Sequence, residues 1–394
     1  MRKLVSLFVL GLFFIGMEVT PSPKAWAQSD QTQQKPQPQP PQTPTTDEGG
    51  PQTDNGPVIL KKKKEGDDQP PPPPAPEEEK IKNPKGLENY SIRVDVPVVT
   101  VDVSVLLEKT RQFVPGLKSG NFRVYEDGLE QKVQDVRTVQ TPITAVMLLE
   151  FASTSWSFIV DMRNASDIFF RTLKPEDYIA VITYDLRTHI LTDFTQNKQI
   201  TAEALNSLTI PGFSDTNMFD ALYETLDRVS RIEGRKYILL IGSGRDTFSR
   251  GNLDGMLKKI KASQNITIFC IGTGQLVREL ADSRGRMGAI SRMDYLQADN
   301  QLKTFAQMTG GQAFFPMFQG AMPDIFSQIN QSIRNQYVVS YRPTNTKQDG
   351  TYRKIKVELV DNEGNPLRMV DEKHKQLKYS VIARDGYKAR QEVE

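Results

Sequence analysis

The chain has 394 residues, with 50 lysines and arginines against 48 aspartates and glutamates, and a formal net charge of +2. This near-neutral balance argues against nucleic acid or anionic lipid as the main partner, because both select strongly basic surfaces. One cysteine, Cys270, excludes an intramolecular disulfide framework, so the fold must be stabilised by its core. Cys270 lies in an apolar run, 266–271, and is predicted to be a buried strand residue.

The N-terminus predicts export. Arg2 and Lys3 precede an apolar run at 4–17, and Ala-Trp-Ala at 25–27 is a small-x-small cleavage pattern, so residues 1–27 are typical of a signal peptide. The apolar run is shorter than the roughly 20 residues that span a bilayer. We therefore expect a periplasmic or secreted protein without an integral membrane segment in the mature chain.

The segment that follows, 28–88, is rich in proline, glutamine, threonine and aspartate. Such a composition cannot bury enough apolar surface to form a core, so we predict a disordered linker. Residues 89–140 alternate apolar and polar side chains at the period of a β-strand. Asp127-Gly128 between two alternating segments predicts a hairpin, because a type I′ turn requires positive φ at both central positions. This part is predicted to be a β-rich N-terminal module.

Residues 141–336 alternate apolar strands with helical stretches, a pattern that predicts a parallel sheet covered by helices on both faces. The predicted strands are 145–149, 178–184, 188–191, 237–241, 266–271 and 313–315. The predicted helices are 156–173, 202–208, 218–232, 253–263, 299–309 and 322–336. Residues 337–394 return to β alternation. The simplest architecture packs this C-terminal segment with 89–140, so that the α/β part is an insertion.

Several short motifs make the chain similar to the VWFA-related family typical of acidobacteria. They are 122–128 (Phe-Arg-Val-Tyr-Glu-Asp-Gly), Tyr184-Asp185 with 191–195, 219–222 (Phe-Asp-Ala-Leu), 309–311 with 314–316, Tyr337, 349–355 and 384–387. The resemblance covers the chain from Arg93 onward. It implies a von Willebrand factor type A domain, Rossmann-like in topology, between β-rich flanks, and it implies no established catalytic activity.

The resemblance also locates a cation site. In such domains one loop reads Asp-x-Ser-x-Ser, a second supplies a threonine and a third an aspartate, and together they hold a divalent ion that a partner's carboxylate completes. The corresponding loops here are 150–155, 215–220 and 243–247. The candidate metal ligands are Glu150, Thr154, Thr216, Ser243 and Asp246.

These loops have lost most of the family's ligands. Glu150 stands where the first aspartate belongs, Ala152 offers no ligand, and Ser243 removes a negative charge. Because a divalent cation needs several oxygen ligands and compensating charge, the sequence favours a degenerate site, and we expect no cofactor. The alternative is a site that still binds Mg²⁺ or another divalent ion, with Asp246 moving to act as a ligand.

Catalytic motifs are missing from the sequence. The loops that begin at Gly242 and Gly272 lack the third glycine of a dinucleotide fingerprint. The two histidines, His189 and His374, offer few candidates for a Ser-His-Asp triad or a His-rich zinc site. We therefore expect a protein that is not an enzyme.

The leading hypothesis is an exported binding protein that contacts an unidentified protein partner in the cell envelope or outside the cell. The candidate contact residues, chosen around the three loops, are Ser153, Ser155, Trp156, Asp215, Met218 and Phe248. Two alternatives stay open: Mg²⁺- or Mn²⁺-dependent adhesion through a partner carboxylate, and a hydrolase acting on cell-envelope polymers.

Overall fold

The computed structural model describes residues 98–138, 141–153, 156–282, 285 and 288–391. The predicted signal peptide and the predicted linker lie outside these residues, as do the first nine residues of the predicted N-terminal module. The strands are β1 (Val99–Leu107), β2 (Phe122–Glu126), β3 (Leu129–Gln131), β4 (Val133–Thr138), β5 (Ile143–Glu150), β6 (Tyr178–Tyr184), β7 (Thr188–Thr195), β8 (Arg235–Gly242), β9 (Ile266–Gly272), β10 (Ala313–Phe314), β11 (Tyr337–Tyr341), β12 (Tyr352–Leu359), β13 (Met369–Val370), β14 (Gln376–Leu377), β15 (Tyr379–Ala383) and β16 (Gly386–Lys388). The helices are α1 (Trp156–Thr172), α2 (Lys198–Asn206), α3 (Met218–Ser230), α4 (Leu253–Ala262), α5 (Gly274–Asp282), α6 (Ala289–Thr309) and α7 (Met322–Arg334).

The α/β domain is built on a six-stranded sheet in the order β10-β9-β8-β5-β6-β7. Its strands are parallel except β7, which pairs antiparallel with β6. Every residue of β5 is buried. Met147 and Leu149 pack towards α1, α2 and α7, whereas Val146 and Leu148 pack towards α3, α4 and α6. The predicted mostly parallel sheet with helices on both faces is therefore confirmed.

Eight of the remaining strands form a β-sandwich whose two sheets have the orders β15-β1-β11-β4 and β16-β12-β2-β3, and β13 and β14 form a separate two-stranded sheet. One hydrophobic cluster fills the space between them, with residues from β1, β2, β11 and β12. Strands from before and after the α/β domain alternate in the first sheet, and in the second sheet β12 from after the domain pairs with β2 from before it. Thr138 at the end of β4 pairs directly with Tyr337 at the start of β11, so the α/β domain is inserted at a single point of the sandwich.

Local signals account for several of these elements. Asp127 and Gly128 have φ values of 49° and 86°, and β2 pairs with β3 across them, which confirms the predicted hairpin. Cys270 is buried in β9, as predicted, and burial raises the pKa of its thiol. A thiol held protonated in this way is a packing residue and a poor nucleophile.

Two helical features differ from the predictions. The sequence did not predict α5, and α6 begins at Ala289, ten residues before its predicted start. The first half of α6 is mostly exposed, with Tyr295 and Ala298 among its buried side chains, so its apolar periodicity is too sparse to mark a helix. Within the residues that the structure describes, no helix has the length and apolar character needed to cross a membrane.

Candidate functional site

Three loops meet at the edge where the parallel strands end. Loop 1, described at residues 151–153, follows β5, loop 2 (residues 207–217) precedes α3, and loop 3 (residues 243–252) follows β8. The amide of Ser153 donates to the carbonyl of Phe213 at 2.8 Å, which joins loop 1 to loop 2. The amide of Phe248 donates to the carbonyl of Thr216 at 2.9 Å, which joins loop 2 to loop 3. We call this part of the molecule the carboxyl edge.

Glu150, the last residue of β5, is a buried charged residue at the carboxyl edge, with 1% of its surface exposed. Its Oε2 accepts hydrogen bonds from the amide of Ser243 at 2.7 Å and from the Ser243 hydroxyl at 2.8 Å. Ser243 itself is only 3% exposed. Bonds of this kind, from neutral donors to a buried carboxylate, are strong and fix both partners. The start of loop 3 is therefore held to the end of β5.

Gly242 makes room for this contact. A Cβ at Gly242 would lie 2.6 Å from the Glu150 Oε2 and 2.5 Å from the Tyr184 hydroxyl, so a larger residue would collide with both. Burial, with the Glu150 charge as the second cause, raises the pKa of Tyr184 well above its ordinary value. Tyr184 therefore stays neutral beside the carboxylate.

Thr216 and Asp246 connect loop 3 to the start of α3. The Thr216 hydroxyl donates to the Arg245 carbonyl at 2.8 Å. Oδ1 of Asp246 accepts from the amide of Phe219 at 3.0 Å and from the Ser249 hydroxyl at 2.6 Å. Phe219 lies in the first turn of α3, where amides lack partners within the helix and a negative charge is favourable. Asp246 thus caps α3 from a different loop, and burial raises the pKa of its carboxyl.

Comparison with known proteins identifies the α/β domain. Residues 153–314 match the sequence profile of the von Willebrand factor type A domain. The α/β domain is a von Willebrand factor type A domain. No match among curated proteins reaches significance.

Three solved structures illustrate the similarity. The vWF domain of the type V pili tip protein Mfa5 from Porphyromonas gingivalis is 14% identical, with 50% of this chain and 96% of that chain covered and a TM-score of 0.38. A von Willebrand factor type A protein from Catenulispora acidiphila is 12% identical, with 69% and 75% covered and a TM-score of 0.39. The PilB minor pilin from Streptococcus sanguinis is 12% identical, with 50% and 62% covered and a TM-score of 0.35.

The oxygen atoms at the carboxyl edge of the von Willebrand domain bond to one another and to the backbone. Asp246 accepts a hydrogen bond from the start of α3, the Thr216 hydroxyl donates to a backbone carbonyl, and the Ser243 hydroxyl donates to Glu150. Ala152 contributes a fully buried methyl group, and Thr154 lies outside the described residues. The described part of the chain holds no group of three or more His, Cys, Asp or Glu side chains able to bind a metal ion. This arrangement does not fit the six or more oxygen ligands of a typical Ca²⁺ site or the octahedral shell of Mg²⁺.

The structure separates the predicted contact residues into two groups. Ser153, Asp215 and Phe248 are exposed on the loops, Phe248 by 60%. The prediction that Met218 contacts a partner is wrong. Met218 is 0% exposed and packs in the core between α3 and the sheet, so it offers no surface to a partner. The reason is that the apolar face of α3 begins with this residue. Ser155 and the side chain of Trp156 lie outside the described part of the chain.

Sequence reasoning missed two exposed apolar residues of the domain. Met317 and Phe318 follow β10 and are 60% and 64% exposed. Because β10 is parallel to β9, the residues after it lie at the same edge of the sheet as loops 1 and 3. Their position directly after a predicted strand was the signal that could have found them.

Proposed function

We propose that this protein is an exported, non-catalytic binding protein whose von Willebrand domain contacts another protein at the carboxyl edge without a divalent cation. The domain type supports an interaction role. The observation that carries the proposal is the pair of hydrogen bonds from Ser243 to the buried carboxylate of Glu150. Export is supported by the N-terminal sequence, with its basic start, apolar run and cleavage pattern.

Hydrogen bonds replace the cation as the link between the loops. In the family pattern, a metal ion draws ligands from all three loops together. Here Ser243 bonds to Glu150, Thr216 bonds to the Arg245 carbonyl, and Asp246 bonds to the start of α3. Each of these contacts joins segments that the ion would otherwise hold. The loops of the carboxyl edge are therefore preorganised in the free protein, which lowers the conformational entropy cost of binding a partner.

Apolar side chains surround these polar loops. Phe213 on loop 2 and Phe248 on loop 3 are 52% and 60% exposed. A single exposed apolar residue is ordinary in a folded protein. Two aromatic rings beside rigid polar loops instead resemble the centre of an interface, where aromatic anchors are enriched and charged residues are depleted. Asp215 and Ser153 then belong to the polar rim.

The cation question is tested by thermal unfolding of the full-length chain in EDTA and in a series of Mg²⁺, Mn²⁺ and Ca²⁺. A comparison variant restores the family ligands through Glu150→Asp, Ala152→Ser and Ser243→Asp. A bound ion at 100 times its dissociation constant adds about 2.7 kcal/mol to the free energy of unfolding. We expect that shift only in the restored variant. A comparable shift in the native chain contradicts metal independence and supports cation-dependent adhesion.

The binding surface is tested by capture of envelope proteins on the immobilised full-length chain in EDTA. The variant carries Phe213→Ser and Phe248→Ser, and the control carries Leu129→Ser and Val370→Ser. Leu129 and Val370 are 64% and 57% exposed, but both lie outside the von Willebrand domain, Leu129 in β3 and Val370 in β13. We expect the captured protein to be lost with the first pair and retained with the control. Equal capture by both variants rules out the carboxyl edge as the contact surface.

A further inference from the structure

A cavity of about 220 Å³ opens between the β-sandwich and the von Willebrand domain, at the edge opposite the three loops. Val99 of β1, Gln264 and Asn265 before β9, the segment 346–348 and the residues around β16 line it. Among the residues that the structure describes, five lysines and arginines and no aspartate or glutamate line this cavity: Lys347, Arg353, Arg384, Lys388 and Arg390. In a chain with nearly balanced charge, this is a marked local excess of positive charge.

Arg353 lines the cavity and is 2% exposed. One of its nitrogens, Nη1, lies 3.2 Å from Oε1 of Glu126, and the guanidinium also donates to the carbonyls of Asn345 and Lys347. Glu126 in turn accepts from the hydroxyl of Tyr341 at 2.7 Å. The Nε of Arg353 has no hydrogen-bond partner among the described residues. The guanidinium is therefore fixed in place and retains one unused donor.

Arg384 is the second partly buried cation of the cavity. Its Nε donates to the Gly386 carbonyl at 2.7 Å and its Nη2 to the Ser263 carbonyl at 3.2 Å. Among the described residues Arg384 has no ion pair. Burial lowers the pKa of its guanidinium, while Tyr352 and Asp102 act in the opposite direction. A partly buried cation whose hydrogen bonds go to neutral carbonyls gains stability from an anion beside it.

Three carboxylates near this cavity already have partners. Asp102 pairs with Arg235 at 3.1 Å. Asp349 accepts hydrogen bonds from the amide and the hydroxyl of Thr351 at 3.0 Å and 2.6 Å. Glu126 lies behind Arg353 and is held by tyrosine hydroxyls. Asp385, the residue after Arg384, lines two other cavities and not this one.

We propose that the cavity binds an oxyanion of the phosphate class, held by Arg353 and Arg384 and surrounded by Lys347, Lys388 and Arg390. A carboxylate carries one charge, whereas a phosphate or diphosphate group carries several charges and acceptor oxygens, which match several cations converging on one space. Arginine forks suit such groups because they present paired donors. Since the cavity lies between the two folded parts of the chain, the anion also contacts both.

Isothermal titration calorimetry of the full-length chain with inorganic pyrophosphate tests this site. The variant carries Lys388→Gln and Arg390→Gln, two exposed cations at the rim. The control carries Lys373→Gln and Lys375→Gln, which remove the same charge from exposed positions outside the cavity. We expect at least a tenfold weaker affinity in the rim variant and less than a twofold change in the control. Arg384→Lys should also weaken binding at least tenfold, because lysine keeps the positive charge but lacks the paired N–H donors of the arginine guanidinium.

Two results overturn the proposal: no heat of binding in the native chain, or equal weakening by the rim and control variants. Because Arg384 also bonds to the backbone, circular dichroism checks that its variant is folded, and the rim variant tests the site independently of it. Inorganic polyphosphate distinguishes the source of the anion. Tighter binding of polyphosphate than of pyrophosphate, lost in the rim variant, indicates a phosphate group on a polymer. Equal or weaker binding indicates a small free ion.

Discussion

Replacing Ser243 by aspartate places a second carboxylate against Glu150, and this single change probes how the carboxyl edge is held together. The Ser243 hydroxyl lies 2.8 Å from Glu150 Oε2, and both residues are almost fully buried. Two unit charges about 4 Å apart repel by roughly 4 kcal/mol at an effective dielectric constant of 20. We therefore expect Ser243→Asp to lower the free energy of unfolding by about 4 kcal/mol at pH 8 in EDTA.

The pH dependence of this loss has a definite sign. Repulsion and burial raise the pKa of the introduced carboxyl in the folded protein above its unfolded value of about 3.9. The destabilisation is then complete at high pH and disappears as the pH falls through the raised pKa. Urea unfolding at pH 5 and pH 8 measures the change.

Ser243→Asn is the matched control, because asparagine has the size of aspartate without its charge. We expect Ser243→Asn to show no such loss between pH 5 and pH 8. If the aspartate and asparagine variants are equally stable at pH 8 in EDTA, Glu150 is not the buried charged partner of position 243, and the hydrogen-bonded link between β5 and loop 3 is refuted. Recovery of the aspartate variant by Mg²⁺ instead indicates that one added carboxylate is enough to recreate a cation site.

Three further predictions concern stability measured by urea unfolding. Arg353→Met leaves the buried Glu126 without its cation, which should cost about 3–5 kcal/mol. Gly311→Ala should lower the free energy of unfolding by at least about 1–3 kcal/mol, because the added Cβ would lie 2.0 Å from a backbone carbonyl oxygen. The control Gly120→Ala should be tolerated, because a Cβ at Gly120 meets nothing within 4 Å. Burial raises the pKa of Asp246 in the folded protein, so ionisation of its carboxyl should lower the free energy of unfolding as the pH rises from 4 to 7. Asp246→Asn should remove this decrease.

The sequence predicted the elements whose signals are local. The all-apolar run of β5 and the Asp127-Gly128 turn are specified by neighbouring residues, and both elements have the predicted type. The start of α6 escaped prediction because its exposed first half lacks an apolar stripe. Helices of this kind depend on packing at one end, which local sequence does not encode.

The geometry of the site could not be predicted in the same way. Loop positions followed from the strand pattern, but the direction of each oxygen depends on contacts between distant segments. Ser243 is 93 residues from Glu150, and Arg353 is 227 residues from Glu126. Met218 was misplaced for the same reason: its proximity to loop 2 suggested exposure, while the apolar face of α3 directs it into the core.

The insertion geometry explains why the carboxyl edge is available to a partner. Both connections to the sandwich, from β4 into β5 and from α7 into β11, lie at the amino edge of the parallel sheet, where Arg235 at the start of β8 pairs with Asp102 of β1. Parallel strands of seven residues separate this edge from the carboxyl edge by about 23 Å. The sandwich therefore cannot cover the three loops, and it instead forms the cationic cavity at the opposite edge. A partner at the loops and an anion at the cavity can bind at the same time, so any influence of one on the other must pass through the sheet itself.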